Sequence, residues 1–344
     1  ENPATSKDCR SFAKSILDHW AHATGGRRGE TDSLGTSMMR SLLLIGDAKL
    51  AQTFFAQVLP LEYAELDGES LVDLADLANW KSIERPLVSF FGSQKPNDYK
   101  ADLRGLATTF GSLASLGNEV TSNRKRVCKS AFKALTAALA RWEKTRSTSM
   151  QYHFPSTRSS HFVGVVESLL RGICSVGTQS DLKQLMSRIS AKPQHYDLHV
   201  VLIPAVNSLS SDEKFAASSK LAEMAVRKLR KFCIDQLTIR TANQPEPPKN
   251  WKRNAKLKCD CADCQELIRF LNDKDAQTHR FPRRKELRQH LHRQIDNHRI
   301  DCSHVTERRG RPYTLVCTKN QASFERDLEQ YQTDCKLFKE LSGG

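Results

Sequence analysis

Apolar positions recur every three or four residues along the chain up to about residue 240, the signature of helices that each bury one face. Residues 8–24 place Phe12, Ile16, Trp20 and Ala23 on one stripe and run into Gly25-Gly26, a helix breaker. The same period predicts helices over 37–45, 47–59, 70–77, 80–91, 102–116, 124–142, 162–176 and 181–189. Pro60 stops the second of these, whose stripe is Leu50, Phe54, Phe55 and Val58. Pro86 interrupts the 80–91 pattern, so it marks a first turn or splits the segment. Residues 198–206 are almost all apolar, and their helical setting favours a buried helix over a strand. Residues 212–239 keep one period from Phe215 to Leu237 and predict a single long helix, with Ser211 as its N-cap.

About ten helices with short loops and no alternating strand predict a mainly α region over 1–243. A loose motif recurs, seen at Asp47 with Leu50 and Phe54 and again at Asp181 with Leu182 and Leu185. No strict period holds, so an irregular HEAT- or armadillo-like helical repeat is the expected architecture, with a single globular helical domain as the competitor. Such an array implies a groove for a protein partner.

Pro245, Pro247 and Pro248 cannot continue a helix, and residues 244–254 are expected to be a linker. Beyond it the pattern changes. A short helix is expected at 265–271, an extended stretch at 278–281, and a helix at 283–297 with Leu287, Leu291 and Ile295 as its stripe. Residues 301–307 and 313–318 alternate apolar and polar positions, and Arg308-Arg309-Gly310-Arg311-Pro312 joins them as a β-hairpin tip. A last helix is expected at 322–341. Residues 255–344 are therefore expected to form a small α+β module with a hairpin and a C-terminal helix.

Charge changes the picture. The chain carries a net charge of +14 with a pI near 9.4, which favours polyanionic partners. Residues 251–313 hold 16 Lys and Arg against 9 Asp and Glu. No run approaches the length of a membrane span, and no amphipathic helix carries an aromatic anchor, so no membrane partner is expected. The chain begins Glu-Asn-Pro without Met, which predicts a piece of a longer protein with any targeting signal outside it.

Three of the 10 cysteines, Cys259, Cys261 and Cys264, fall within six positions. Cys-x-x-Cys presents two thiolates to one tetrahedral ion, and Cys259 reaches the same centre. A structural zinc needs a fourth ligand, for which His290, His292 and Cys302 are the candidates. Lys256 and Lys258 favour the thiolate form. Cys9, Cys128, Cys174 and Cys233 sit singly in helical patterns and are expected to be small buried groups, consistent with a reducing compartment. That compartment is expected to be the nucleus, on charge, with the cytoplasm as the alternative.

His195-Tyr196-Asp197 has the His-x-Asp form of iron oxygenases, but no strands surround it. His195 and His199 are spaced for one helical face, but no third ligand accompanies them. No phosphate loop, nucleophile elbow or dinucleotide fingerprint occurs, and no enzyme is expected from this chain.

Cys259-Asp-Cys261-Ala-Asp-Cys264, Leu267, Phe270-Leu271, the basic His-bearing helix and the segment from Thr306 to Lys319 together resemble the C-terminal regions of large, uncharacterised fungal multidomain proteins. Some of those carry a 2-oxoglutarate/iron dioxygenase-like domain, which is absent here. The resemblance covers about the last ninety residues and implies a zinc-binding accessory module, with no oxygenase chemistry carried over.

The expected function is non-catalytic nucleic-acid binding, with double-stranded DNA as the partner. Phosphate contact is expected from Arg283, Arg284, Lys285, Arg288 and Arg293 on the helix and from Arg308, Arg309 and Arg311 at the tip. Arg309-Gly310-Arg311-Pro312 matches the AT-hook core, whose extended arginines enter a narrow minor groove; a plain turn is the other reading. The alternatives are a protein-interaction scaffold capped by the zinc module, or an accessory domain of a larger enzyme.

Overall fold

The computed structural model describes residues 3–20, 34–63, 66–93, 103–117, 120–149, 161–193 and 195–343. The end of the first expected helix and its Gly25-Gly26 breaker lie outside them. The chain divides into two compact units, Glu1–Cys233 and Ile234–Gly344, with the division falling inside a helix.

Among its described residues, the first unit contains helices and no strand. Its elements are α1 (Pro3–Asp18), α2 (Leu34–Ile45), α3 (Ala48–Gln57), α4 (Leu59–Glu62), α5 (Gly68–Ala78), α6 (Trp80–Ser93), α7 (Leu103–Ser115), α8 (Ser122–Ser149), α9 (His161–Val176) and α10 (Gln179–Ser190). A π-helical turn (Leu198–Leu202) then leads directly into α11 (Ile203–Ser211), followed by α12 (Glu213–Ala217) and α13 (Lys220–Arg240).

Two expectations are corrected here. Pro86 neither starts nor breaks its segment but sits inside α6, where burial of Ile83, Leu87, Phe90 and Phe91 outweighs the lost backbone bond. Residues 212–239 are two helices, because the Asp212 side chain caps α12 and the Ser219 hydroxyl accepts from Ala222 N to start another. The N-cap is Asp212, and Ser211 ends the preceding helix.

Packing in this unit runs mainly between alternate helices: α6 lies on α8, α7 on α9, and α3 on α5. Tyr63, Phe90, Phe91, Phe110 and Phe132 pass the core along as successive ring contacts 4.8–6.3 Å apart. The α7–α9 crossing is close because Gly172 faces the Phe110 ring and Gly111 faces Ser168. A methyl at Gly172 would overlap Phe110. Gly172→Ala is therefore expected to lower stability by about 1–2 kcal/mol despite the better helix former, read as a lower urea midpoint at unchanged slope.

Two buried charges are fully engaged. Arg124, 1% exposed, donates Nε to Leu113 O at 2.9 Å and Nη2 to Leu116 O, closing the C-terminal end of α7, and lies over the Trp80 ring. Glu143, with its side chain 1% exposed, receives both Arg188 nitrogens at 3.0 Å, Lys192 Nζ at 2.7 Å and the Tyr196 hydroxyl at 2.9 Å. His195 contacts the Glu143 carbonyl at 3.2 Å, and Asp197 caps the π-helical turn through His199 N and Val200 N. His195-Tyr196-Asp197 is thus part of the packing and capping of this unit. Cys128, Cys174 and Cys233 are buried, and burial pushes each thiol up to about 12. Cys9 is exposed, contrary to expectation.

The second unit contains α14 (Ala262–Asn272), β1 (Thr278–Pro282), α15 (Lys285–Asn297), β2 (Cys302–Glu307), β3 (Thr314–Lys319) and α16 (Ala322–Ser342). The expected hairpin forms, and the extended stretch before α15 adds a third strand, giving an antiparallel sheet of order β1-β3-β2. The register pairs Phe281 with Leu315, and Cys317 with both His279 and His304. One sheet face buries Phe281, Leu315, Cys317 and Cys302 in a core shared with Leu267 and Phe270 of α14 and Leu291 and Ile295 of α15. Leu287 is 40% exposed, so the α15 stripe is narrower than its sequence predicts.

The start of this unit is also corrected. Residues 251–253 belong to the module and not to a free linker, since Trp251 N bonds Lys274 O and Arg253 N bonds Leu271 O. Arg253, 8% exposed, also donates to Asn320 O from Nε and Nη2. Among the described residues, no helix is long and apolar enough to cross a membrane.

Candidate metal centre

Cys261 is the N-cap of α14, and Cys264 occupies its first turn. The nearby Cys264 N–H, above all, holds the Cys261 thiol below its usual range. Cys264 is fully buried, and burial pushes its thiol upward in the absence of charge compensation. A bound cation would supply that compensation. Cys259 approaches from the preceding loop and His290 from α15.

The four donor atoms of Cys259, Cys261, Cys264 and His290 lie within 4.8 Å of one another. His290 Nε2 is 3.1 Å from Cys264 Sγ and 3.5 Å from Cys261 Sγ. A tetrahedral zinc with bonds of about 2.3 Å to sulfur and 2.0 Å to nitrogen sets such pairs about 3.5 Å apart, so the donor set fits the ion. Three soft thiolates and one imidazole are a donor set consistent with zinc.

Ion pairs brace the cysteine turn. Arg283, just before α15, donates at 2.6 Å to both Asp263 and Glu266 on the first turns of α14. Glu266 also meets His279 of β1 at 2.8 Å. Asp263 and Glu266 carry no metal-ligand signature in the sequence; their acidic spacing of three beside the cysteines is the signal that marks them.

The other two candidates for fourth ligand are elsewhere. His292 is two residues from His290, so its side chain leaves the helix on another face, where it meets His304 and Thr306 of β2. Cys302 lies in the sheet core, where the Cys317 thiol donates to it and holds it below its usual range.

The expected phosphate-contact residues also divide. Arg288 is buried, donating to Arg283 O at 2.6 Å and Tyr313 O at 3.3 Å with its guanidinium over the Tyr313 ring. Arg283 is committed to Asp263 and Glu266. Both therefore hold the module together. Arg284, Lys285, Arg293, Arg308, Arg309 and Arg311 are exposed.

Arg283 N and Arg288 Nη1 both reach Tyr313 O, and β1 ends with Pro282 opposite Thr314. These contacts bring the 308–312 turn and the start of α15 to one end of the sheet. Gly310 has φ +76°, a turn conformation and not the extended form of an AT-hook. Lys319 carries no sequence signal that sets it apart from the exposed basic residues, yet it is 1% exposed, with Nζ 2.6 Å from Asp273 O and over the Phe270 ring.

Compared with family models, curated proteins and solved structures, the chain matches none.

Proposed function

We propose that the second unit is a non-catalytic, zinc-stapled module that binds nucleic acid, with duplex DNA as the partner. The observation that carries this reading is the convergence of Arg284 and Lys285 with Arg308, Arg309 and Arg311 at one end of the sheet, all exposed. The N-terminal end of the α15 dipole adds positive potential there. Four protein ligands fill a tetrahedral zinc and leave no place for a reacting water, so the ion is structural. A nuclear location follows from the partner, with the cytoplasm as the alternative.

Phosphate contacts release counterions, so the affinity of the full chain for duplex DNA is expected to fall steeply and linearly on a log–log salt plot. Changing Arg309→Glu and Arg311→Glu together is expected to weaken binding and reduce the salt slope by about two. Affinity that ignores salt, or a double variant that binds like the parent, would contradict the proposal.

A second reading is supported by the stacking of alternate helices in the first unit. An irregular HEAT- or armadillo-like array offers a groove to a protein partner. A partner held this way stays bound to the full chain when a chelator strips the zinc.

A further inference from the structure

Beside the cysteine centre, α15 and β2 are joined by a second cluster of metal-ligating side chains. His292 Nδ1 faces His304 Nδ1 in direct contact. The outer nitrogen of each ring has its own partner: His292 Nε2 is 3.2 Å from Thr306 Oγ1, and His304 Nε2 is 3.0 Å from Asp296 Oδ1.

Tautomers follow from this arrangement. An ionised carboxylate only accepts, so His304 carries its proton on Nε2 and presents a lone pair at Nδ1. His292 can answer in two ways. It donates Nδ1–H to His304 while its Nε2 accepts from Thr306, or it donates Nε2–H to Thr306 and presents a second lone pair at Nδ1. The first is a neutral hydrogen-bond chain. The second aims two imidazole lone pairs at one point, which requires a cation between them.

We propose that His292 and His304 form a second, exchangeable site for a late first-row divalent ion, each donating Nδ1, with Thr306 and Asp296 orienting the rings. A carboxylate on the far ring N–H is the usual support for a ligating histidine, and imidazole suits zinc, copper and nickel. Two bonds of about 2.0 Å set the nitrogens about 3.3 Å apart, so the rings part slightly as the ion enters. The switch between His292 tautomers moves one proton from Nδ1 to Nε2, so binding needs no net proton release. The Asp296 side chain is 67% exposed and His304 16%, leaving a solvent route and room for water to complete the coordination. With two protein ligands against four, this ion exchanges more readily than the one at Cys259, Cys261, Cys264 and His290. The seam rests on the α15–β2 contact and is independent of the nucleic-acid reading.

The test dialyses the full chain, reconstituted with one equivalent of zinc, against excess Co2+ and counts both metals by mass spectrometry. The expected result is one zinc and one cobalt per chain, without the near-ultraviolet charge-transfer band of a cobalt thiolate. His304→Gln is expected to keep the zinc and lose the cobalt; the retained zinc certifies that the module is folded. Thr306→Val, which removes the partner of His292 Nε2, is expected to weaken cobalt binding while leaving the zinc count at one. No cobalt on the parent chain would mean a hydrogen-bond chain only and would overturn the proposal. Cobalt retained by His304→Gln, or cobalt that displaces the zinc and shows the thiolate band, would overturn it as well. Failure of DNA binding leaves both counts unchanged, so the two proposals fail separately.

Discussion

Cys264→Ser is expected to abolish tight metal binding and to unfold the second unit while the first stays intact. Cys264 is both a donor and a core residue, fully buried beside Leu267 and Phe281. Metal binding to such a donor set supplies about 10 kcal/mol or more of folding free energy at neutral pH. The unit around it spans Ile234–Gly344 and has a small core, too little to offset that loss. Limited trypsin digestion gives the readout. The variant should be cut rapidly among the basic residues of 251–319, whereas the helices before Cys233 should resist. Chelation of the parent chain should produce the same pattern. A variant that keeps its resistance without zinc would show that the sheet core alone suffices.

The second large effect is expected at Glu143. Its carboxylate is the shared anion for Arg188 and Lys192 and the acceptor for the buried Tyr196 hydroxyl. Glu143→Leu leaves those groups without their partner, and losing one side of a buried pair costs about 3–5 kcal/mol. The expected readout is a large fall in the denaturant midpoint of the first unit, with zinc content unchanged.

Burial pushes the Glu143 carboxyl upward, but the Arg188 and Lys192 contacts outweigh it and hold the folded group below its ordinary value. Since the folded pKa is depressed, this contribution is fully present above the unfolded value of about 4.3 and is lost as pH falls through and below that range. The parent should therefore lose stability toward acid more steeply than Glu143→Leu. Parallel acid profiles would argue that the carboxylate is not the anchor of this network.

Much of the helical framework was legible because amphipathic helices announce themselves through local spacing. The places where spacing misled are those where tertiary contact overrules it. Pro86 is carried inside α6 by the packing of its neighbours, and the helix expected over 212–239 is interrupted by two capping side chains. The three cysteines were legible because their spacing is itself the coordination geometry.

The fourth ligand was not legible. His290 and His292 flank the same stripe, and only the seating of Leu291 and Ile295 against α14 decides which ring meets the sulfurs. Formal charge likewise does not tell a free arginine from a committed one. Arg283 and Arg288 look like their neighbours in the sequence, yet one closes two ion pairs and the other is buried under Tyr313. The pairing of β1 with β3 is a long-range register, invisible to any local pattern.

The most direct test of the central claim is the X-ray absorption fine structure of zinc in the full chain loaded with one equivalent. The account predicts a four-coordinate shell of three sulfurs at about 2.3 Å and one nitrogen at about 2.0 Å, converted to a different shell by His290→Ala. Four sulfurs, a shell of nitrogen and oxygen only, or a spectrum indifferent to His290 would contradict it.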